Sequence, residues 1–319
     1  MRAFVLLLLP SLVLAQDTDA AKLIAAGHWK RARAIVERRI HDNPRDPEAS
    51  FLLSQIRYAF GDLTSPVDLA ADAVRLDPGV ARYHRQLAEV QGILAQRANI
   101  FQQIGIARRF RKEIDAALAL DPNDVQALRD LLEYYVVAPG IAGGDLRKAA
   151  DIARRIAAID PAEGLLAEAR IADSRSDVAR SAALLLRAAA LRPPSYQALT
   201  TLATFDLSPA HRDDAAAESL ARQAIALDPD RSAAWAILAR VYAARPDFPS
   251  LDRALDDAAR AVPDDPLPYY RAAEILLAAG RSPSRAERYL RIYLSQEPEG
   301  GRPTAAAARD LLHKLGETN

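Results

Sequence analysis

The feature that most constrains this chain is a tripeptide, Leu-Asp-Pro, that recurs where one hydrophobic run stops and the next begins. It stands at Leu76-Asp77-Pro78, Leu120-Asp121-Pro122 and Leu227-Asp228-Pro229, with Ile159-Asp160-Pro161 as a near copy. Weaker forms end at Pro44, Pro193, Pro266 and Pro298. Proline disfavours helical backbone in the residue before it, so each copy closes a helix. Successive prolines in this series are 34, 44, 39, 32, 36, 37 and 32 residues apart. A recurring period near 34 residues points to a stacked helical-repeat array.

Composition agrees with that reading. Hydrophobic residues make up 50% of the chain, much of it alanine and leucine, the best helix formers. Only 13 glycines and 7 phenylalanines occur, too few for a barrel or sandwich built on many tight turns. The 42 basic and 42 acidic residues cancel, so no global charge draws nucleic acid or an anionic membrane. The chain has no cysteine, which excludes disulfides, thiolate metal sites and cysteine nucleophiles.

Met1 to Ala15 reads as a secretory signal peptide. Arg2 supplies the positive start, Phe4 to Leu14 the apolar stretch and Val13-Leu14-Ala15 the cleavage pattern. A membrane span needs about 20 apolar residues, twice what is present. Cleavage after Ala15 and export to the periplasm or beyond are the expectation.

From Asp17 the chain alternates helix A, turn, helix B, turn. Gly27, Trp29 and Ala32 mark the first A–B turn and the start of its helix B. Leu53, Tyr58, the turn Gly61-Asp62 and Ala73 make the second unit. Asp46, Asp62 and Asp145 stand where helix N-caps are needed.

The clearest unit places Trp235, Leu238, Ala239 and Tyr242 on helix A, then Ala254, Ala258, Ala261 and Pro266 on and after helix B. Others are Tyr269, Ala272, Ala273 and Gly280 with Ala286, Leu290 and Pro298; Leu131 and Tyr135 with Ala149 and Pro161; and Leu87 and Ala88 with Ala117 and Pro122. On these residues the chain resembles the tetratricopeptide repeat (TPR) family, and is similar to uncharacterised exported bacterial members of it. Sel1-like and HEAT repeats are the alternatives. The resemblance covers about residues 17–298. It implies an all-α, right-handed α-solenoid of about eight TPR-like helix pairs over residues 16–298. A linker, a capping helix from Thr304 to Leu315 and a tail fill residues 299–319.

Two consecutive units are stretched. About ten extra residues lie around Ala95 to Ile106, and the next A–B turn is swollen to Ala138-Pro139-Gly140-Ile141-Ala142-Gly143-Gly144-Asp145. Insertions in a solenoid emerge on one edge and often carry binding. The surface expected there comprises Phe101, Arg108, Arg109, Arg111, Pro139 and Ile141. The run Ala107 to Lys112, with Ile100, Phe101, Ile104 and Phe110, reads either as an amphipathic segment meeting a membrane or as apolar packing with solvated arginines.

Catalytic patterns are missing. His28, His41, His84, His211 and His313 are scattered, each readable as a solvent-facing or turn residue, and only long-range convergence could make a metal site of them. No Gly-x-Ser-x-Gly elbow occurs. The 140–145 turn lacks the Gly-Lys-Ser/Thr ending of a phosphate loop and follows a helix. Asp213-Asp214, Asp256-Asp257 and Asp264-Asp265 are neighbours pointing about 100° apart on a helix, unable to flank one bond. No enzyme activity, cofactor or metal is therefore expected.

In the TPR resemblance, helix A lines a concave groove that receives a peptide or partner helix. Counting along the units puts Phe51, Gln55, Tyr58, Arg82, Arg85, Glu89, Gln126, Arg129, Glu133, Arg240 and Tyr270 towards it, with Glu48, Glu168 and Glu274 beside them. The Lys/Asn carboxylate clamp of chaperone-binding TPR domains does not match. The expectation is a non-catalytic scaffold of the bacterial envelope that binds another protein or a peptide, not nucleic acid. A peripheral membrane-surface protein using the 95–112 insertion is the alternative.

Overall fold

The computed structural model describes residues 20–95, 98–245, 247–301 and 303–317. The expected leader at 1–15 lies outside the described residues. Among the described residues there is helix and turn but no strand.

The aspartates of the repeated tripeptide show why the array is periodic. Asp77, Asp121, Asp160 and Asp228 are all helix C-caps in extended backbone, with φ of −145°, −134°, −135° and −152°. That is the conformation the following proline imposes. The carboxylates of Asp77, Asp121 and Asp160 then accept the backbone N–H two residues on, from Gly79 (3.2 Å), Asn123 (3.0 Å) and Ala162 (2.9 Å). Such a turn reverses the chain within a few residues. Asp160 is also the N-cap of the next helix, so one residue ends one unit and starts another.

Eight helix pairs follow among the described residues. They are α1 (20–26) with α2 (Trp29–Asp42), α3 (Pro47–Ala59) with α4 (Ser65–Leu76), and α5 (Ala81–Ala95) with α6 (Ile100–Leu120). Next come α7 (Val125–Val137) with α8 (Leu146–Ile159), α9 (Pro161–Ser174) with α10 (Val178–Ala190), and α11 (Tyr196–Asp206) with α12 (Asp214–Leu227). The last are α13 (Ser232–Ala244) with α14 (Phe248–Ala261) and α15 (Leu267–Ala278) with α16 (Pro283–Tyr293); α17 (Ala305–Glu317) closes the series. Asp46 caps α3 and Asp145 caps α8 as expected, whereas Asp62 binds the N–H groups of Thr64 and Ser65 in the turn ahead of α4.

The second helices bury small residues: Ala70 and Ala73, Ala117, Ala149 and Ala153, Ala217, Ala221 and Ala224, Ala254 and Ala258. Small side chains let paired helices approach closely, and large residues from the neighbouring unit fill the remainder. The tightest approach is at Gly164, where an added Cβ would lie 2.4 Å from the Cα of Ala157. Helix α17 buries Ala308 and Leu315 against the last unit, as expected of a cap.

The extra residues of unit three do not form a loop. They lengthen α6 to 21 residues, started by a capping box between Asn99 and Gln102. Those of unit four form a single 3-10 turn, Gly140–Ala142, closed by Gly143 at φ 102° and held by the Tyr134 hydroxyl, which donates to the Ala142 carbonyl.

A linker after Pro298 would be free of contacts, and this segment is not. Its 3-10 turn, Glu299–Gly301, packs on α2 and α3. Lys30 donates its backbone N–H to Glu299 (3.0 Å) and its Nζ to the Asp264 carbonyl (2.6 Å), the Gln296 side chain (3.0 Å) and the Glu297 carbonyl (2.8 Å). Arg31 pairs with Asp264 and Arg33 with Glu297. A Cβ on Gly300 would lie 3.1 Å from the Trp29 ring, and one on Gly301 3.1 Å from the Phe60 backbone. The first unit is therefore docked on the turns of the last units, and the array closes on itself. Burial pushes the Glu299 carboxyl up to about 7 against the pull of Lys30.

Candidate binding surface

Consecutive A helices pack on one another, α3 on α5, α5 on α7 and onward to α13 on α15, while among the described residues no B helix packs on the next B helix to the same extent. The A side is thus the short arc of the curve and forms its inner face. On α7, α9 and α11 most of the residues that reach this face follow one spacing. Gln126, Arg129, Asp130 and Glu133 do so on α7; Glu163, Leu166, Ala167 and Arg170 on α9; Gln197, Thr200, Thr201 and Thr204 on α11. The interval of three, four and seven residues is one stripe of an α-helix.

Two hollows lie on this face. One of about 430 Å³ is bounded by α7, α9 and α11, and one of about 560 Å³ by α11, α13 and α15. Gln197 and Thr201 line both, so they form one trough. Its first half is closed by ion pairs between units: Arg129 with Glu163 at 3.3 Å, Glu133 with Arg170 at 2.7 Å and Arg85 with Asp130 at 3.5 Å. Burial pushes Asp130 up to about 7; Arg85 pulls it down and Glu89 pushes it further up. Burial likewise raises Glu163, opposed by Arg129.

The middle of the trough is neutral. Thr200 and Thr204 donate their hydroxyls to the carbonyls of Tyr196 (3.0 Å) and Thr200 (2.7 Å), and the Gln197 amide donates to Thr201 (3.2 Å). The far half holds Arg231, Arg240, Arg271 and Glu274. Glu274 is paired with Arg271 at 2.9 Å. Arg240 has no ion-pair partner among the described residues, and burial followed by the charge of Arg271 lowers its pKa.

No family model matches the chain, and no curated protein matches it in sequence. Solved structures do match. TTC0263, a thermophilic TPR protein of Thermus thermophilus, superposes with a TM-score of 0.53 at 19% identity, over 61% of this chain and 99% of its own. Yeast Tom70 superposes with a TM-score of 0.57 at 14% identity, over 90% of this chain, which spans 59% of Tom70. The fold is the tetratricopeptide repeat fold. At these identities the likeness speaks to fold alone.

Placed in the TPR array, the expected groove residues divide. Gln126, Arg129, Glu133 and Arg240 line the trough, and Asp130, Arg170, Gln197, Thr201 and Arg271 join them without having been singled out. The missed residues share the stripe spacing of the ones found, so aligning every A helix on that spacing would have located them. Arg82 pairs with Glu48 at 2.6 Å, and Arg85 reaches Glu89 at 3.3 Å as well as Asp130. Gln55 is half-buried.

Three aromatic assignments need correction. Tyr270 is buried against Tyr293, ring centroids 5.0 Å apart, because it precedes the inner-face residue Arg271 by one position, a rotation of about 100° into the core. Phe51 is covered by the Tyr83 ring at 5.2 Å and the Arg82 guanidinium at 5.6 Å. Tyr58 packs beside Ala70, Leu87 and Val90 between units. Glu168 lines a separate hollow with Arg154, Arg175 and Arg180.

In the stretched region Arg108 and Arg109 are exposed, as are Pro139 and Ile141. Arg111 is not a free surface residue: it donates to the Tyr135 hydroxyl and pairs with Asp115 at 2.7 Å. Ile106, Phe110 and Ile114 are buried, and Phe110 stacks on Tyr134 at 5.3 Å. These three apolar residues of the segment are therefore used in packing, and the side chain of Ile100 lies outside the described residues. The side chain of Phe101 lies outside the described residues. No described helix is long and apolar enough to cross a membrane.

Proposed function

We propose that this protein is a non-catalytic interaction scaffold of the bacterial envelope, exported with cleavage after Ala15, and that its inner trough holds an extended segment of another protein. The observation that carries the reading is Arg240, a guanidinium without an ion-pair partner among the described residues, in a trough where Arg129, Arg170 and Arg271 are ion-paired and Arg231 stacks on the Tyr196 ring at 4.0 Å. A guanidinium presents a fork of donors matched to a carboxylate. The neutral stretch of Gln197 and Thr201 beside it offers amide and hydroxyl groups to a peptide backbone. The segment recognised would therefore place an acidic side chain, or a C-terminal carboxylate, against Arg240.

The test is a peptide array probed with the purified chain, read for acidic peptides and repeated with Arg240→Ala. Binding that survives this substitution unchanged, and also survives Gln197→Ala, removes the trough as the site. N-terminal sequencing of the protein from a periplasmic fraction tests export: a start at Gln16 supports it, and an intact Met1 in the cytoplasm overturns it.

A further inference from the structure

The seam that closes the array contains a histidine with an environment unlike that of a turn residue. His28, expected at the surface, is 1% exposed. Its Nε2 lies 2.9 Å from Asp230 and its Nδ1 3.4 Å from Asp264, yet neither nitrogen makes a well-directed hydrogen bond, while Asp264 Oδ2 is ion-paired with Arg31 Nε at 2.7 Å. Glu299, 7% exposed, completes the group: ligand atoms of His28, Asp264 and Glu299 all lie within 4.8 Å of one another.

Buried polar atoms normally find partners, and those that do not call for an explanation. The spacing supplies one. Two ligands each about 2.1 Å from a tetrahedral zinc ion sit about 3.4 Å apart, which is the separation between His28 Nδ1 and Asp264 Oδ2. Asp230 lies on the other side of the ring, 2.9 Å from Nε2, so Nδ1 is the ring nitrogen that faces Asp264. Charge points the same way. Four carboxyl groups, Asp230, Asp264, Asp265 and Glu299, gather here against Lys30 and Arg31. Asp230 is half exposed and leaves the site a path to solvent.

We propose that His28, Asp264 and Glu299 bind a divalent transition cation of the zinc type, and that this ion latches the first unit of the array to the last. One imidazole and two carboxylates suit such an ion, with water completing its coordination. The ligands come from the A–B turn of unit one, the turn before α15 and the segment after α16. An ion held by all three binds only the closed array, so binding and closure are linked.

The test uses the purified chain stripped with EDTA and dialysed against ZnCl₂ or MgCl₂ at pH 8. The expected result is one tightly held zinc per chain, a raised melting temperature and no comparable effect of magnesium. His28→Gln and Glu299→Gln each lower zinc affinity by at least about tenfold, with helical circular dichroism unchanged. Asp256→Asn, away from the seam, lowers it not at all. Failure of the folded chain to retain zinc overturns the proposal, as does equal retention by both variants. Should a variant not fold, cobalt(II) in the unsubstituted chain decides: the visible bands of a four- or five-coordinate site support the latch, and the weak spectrum of a hydrated surface ion overturns it. Closure that responds to pH but not to zinc would assign His28 to a proton-only contact and also overturn it.

Discussion

The carboxylate of Glu299 accepts the backbone N–H of Lys30 at 3.0 Å across 269 residues of chain. Helix α2 has no capping side chain of its own and no acid in its first turn. Its N-terminus, which carries unpaired N–H groups and a partial positive charge, is capped by the far end of the protein. An end unit of a solenoid ordinarily exposes its outer edge. In this array that edge is covered.

Removing the cap tests whether the closed form exists in solution. With EDTA present, Glu299→Ala should lower stability by about 1–2 kcal/mol, read as a shifted urea midpoint. Glu299→Gln keeps an acceptor for the Lys30 N–H and should cost less. An open array would show both variants within about 0.5 kcal/mol of the parent.

A second prediction concerns the close crossing of α8 and α9. In Gly164→Ala the new methyl would fall 2.4 Å from Ala157 Cα and 2.8 Å from its backbone nitrogen. Backbone cannot give way as a side-chain tip can, so the helices must separate. The expected loss is about 2 kcal/mol or more in chemical denaturation, without loss of helical signal in the folded baseline.

Local physics made most of the fold readable. Pro78, Pro122, Pro161 and Pro229 fix the backbone of the residue before them, and Asp46 and Asp145 cap helices through bonds of two or three residues' reach. The stretch before Ile106 reads as an insertion because length alone does not say whether extra residues bulge or extend a helix; with no proline from Ile100 to Ile106, they extend α6, which runs through Gly105. Tyr270 differs from the groove position by one residue, which on a helix is the difference between groove and core. The seam had no positive signal at all, since His28 and Glu299 meet only after every unit has added its curvature. Its one trace was negative: the position before Trp29 lacks the Ser, Thr, Asp or Asn that a free helix start favours.

The pH dependence of stability should carry the mark of Asp130. Its folded pKa, about 7, lies above the value of 3.8 for an unperturbed carboxyl. Between those two values the folded protein binds more protons than the unfolded one, so stability contributed by this group falls as pH rises through that window and levels off above it. Asp130→Asn resembles the protonated form and should flatten that part of the profile. Urea midpoints measured from pH 4 to pH 8 check it, and an identical slope in the variant would contradict the burial of this carboxyl.

Arg240 and Tyr270 provide the sharpest separation between surface and core. Both lie on A helices of adjacent units, but one lines the trough and the other packs on Tyr293. Arg240→Ala removes a side chain that has no ion-pair partner among the described residues, so stability should move by no more than about 0.5 kcal/mol. Affinity for an acidic peptide in the trough should drop about tenfold or more, since a hydrogen bond to a charged group contributes about 1.5–3 kcal/mol. Tyr270→Ala should do the reverse, costing about 3–5 kcal/mol of stability, as other large aromatic truncations do. Any loss of binding it causes should vanish at temperatures where the variant is fully folded. Thermal melts paired with peptide titrations at 10–15 °C distinguish the two cases. A stable Tyr270→Ala variant that fails to bind would return Tyr270 to the recognition surface.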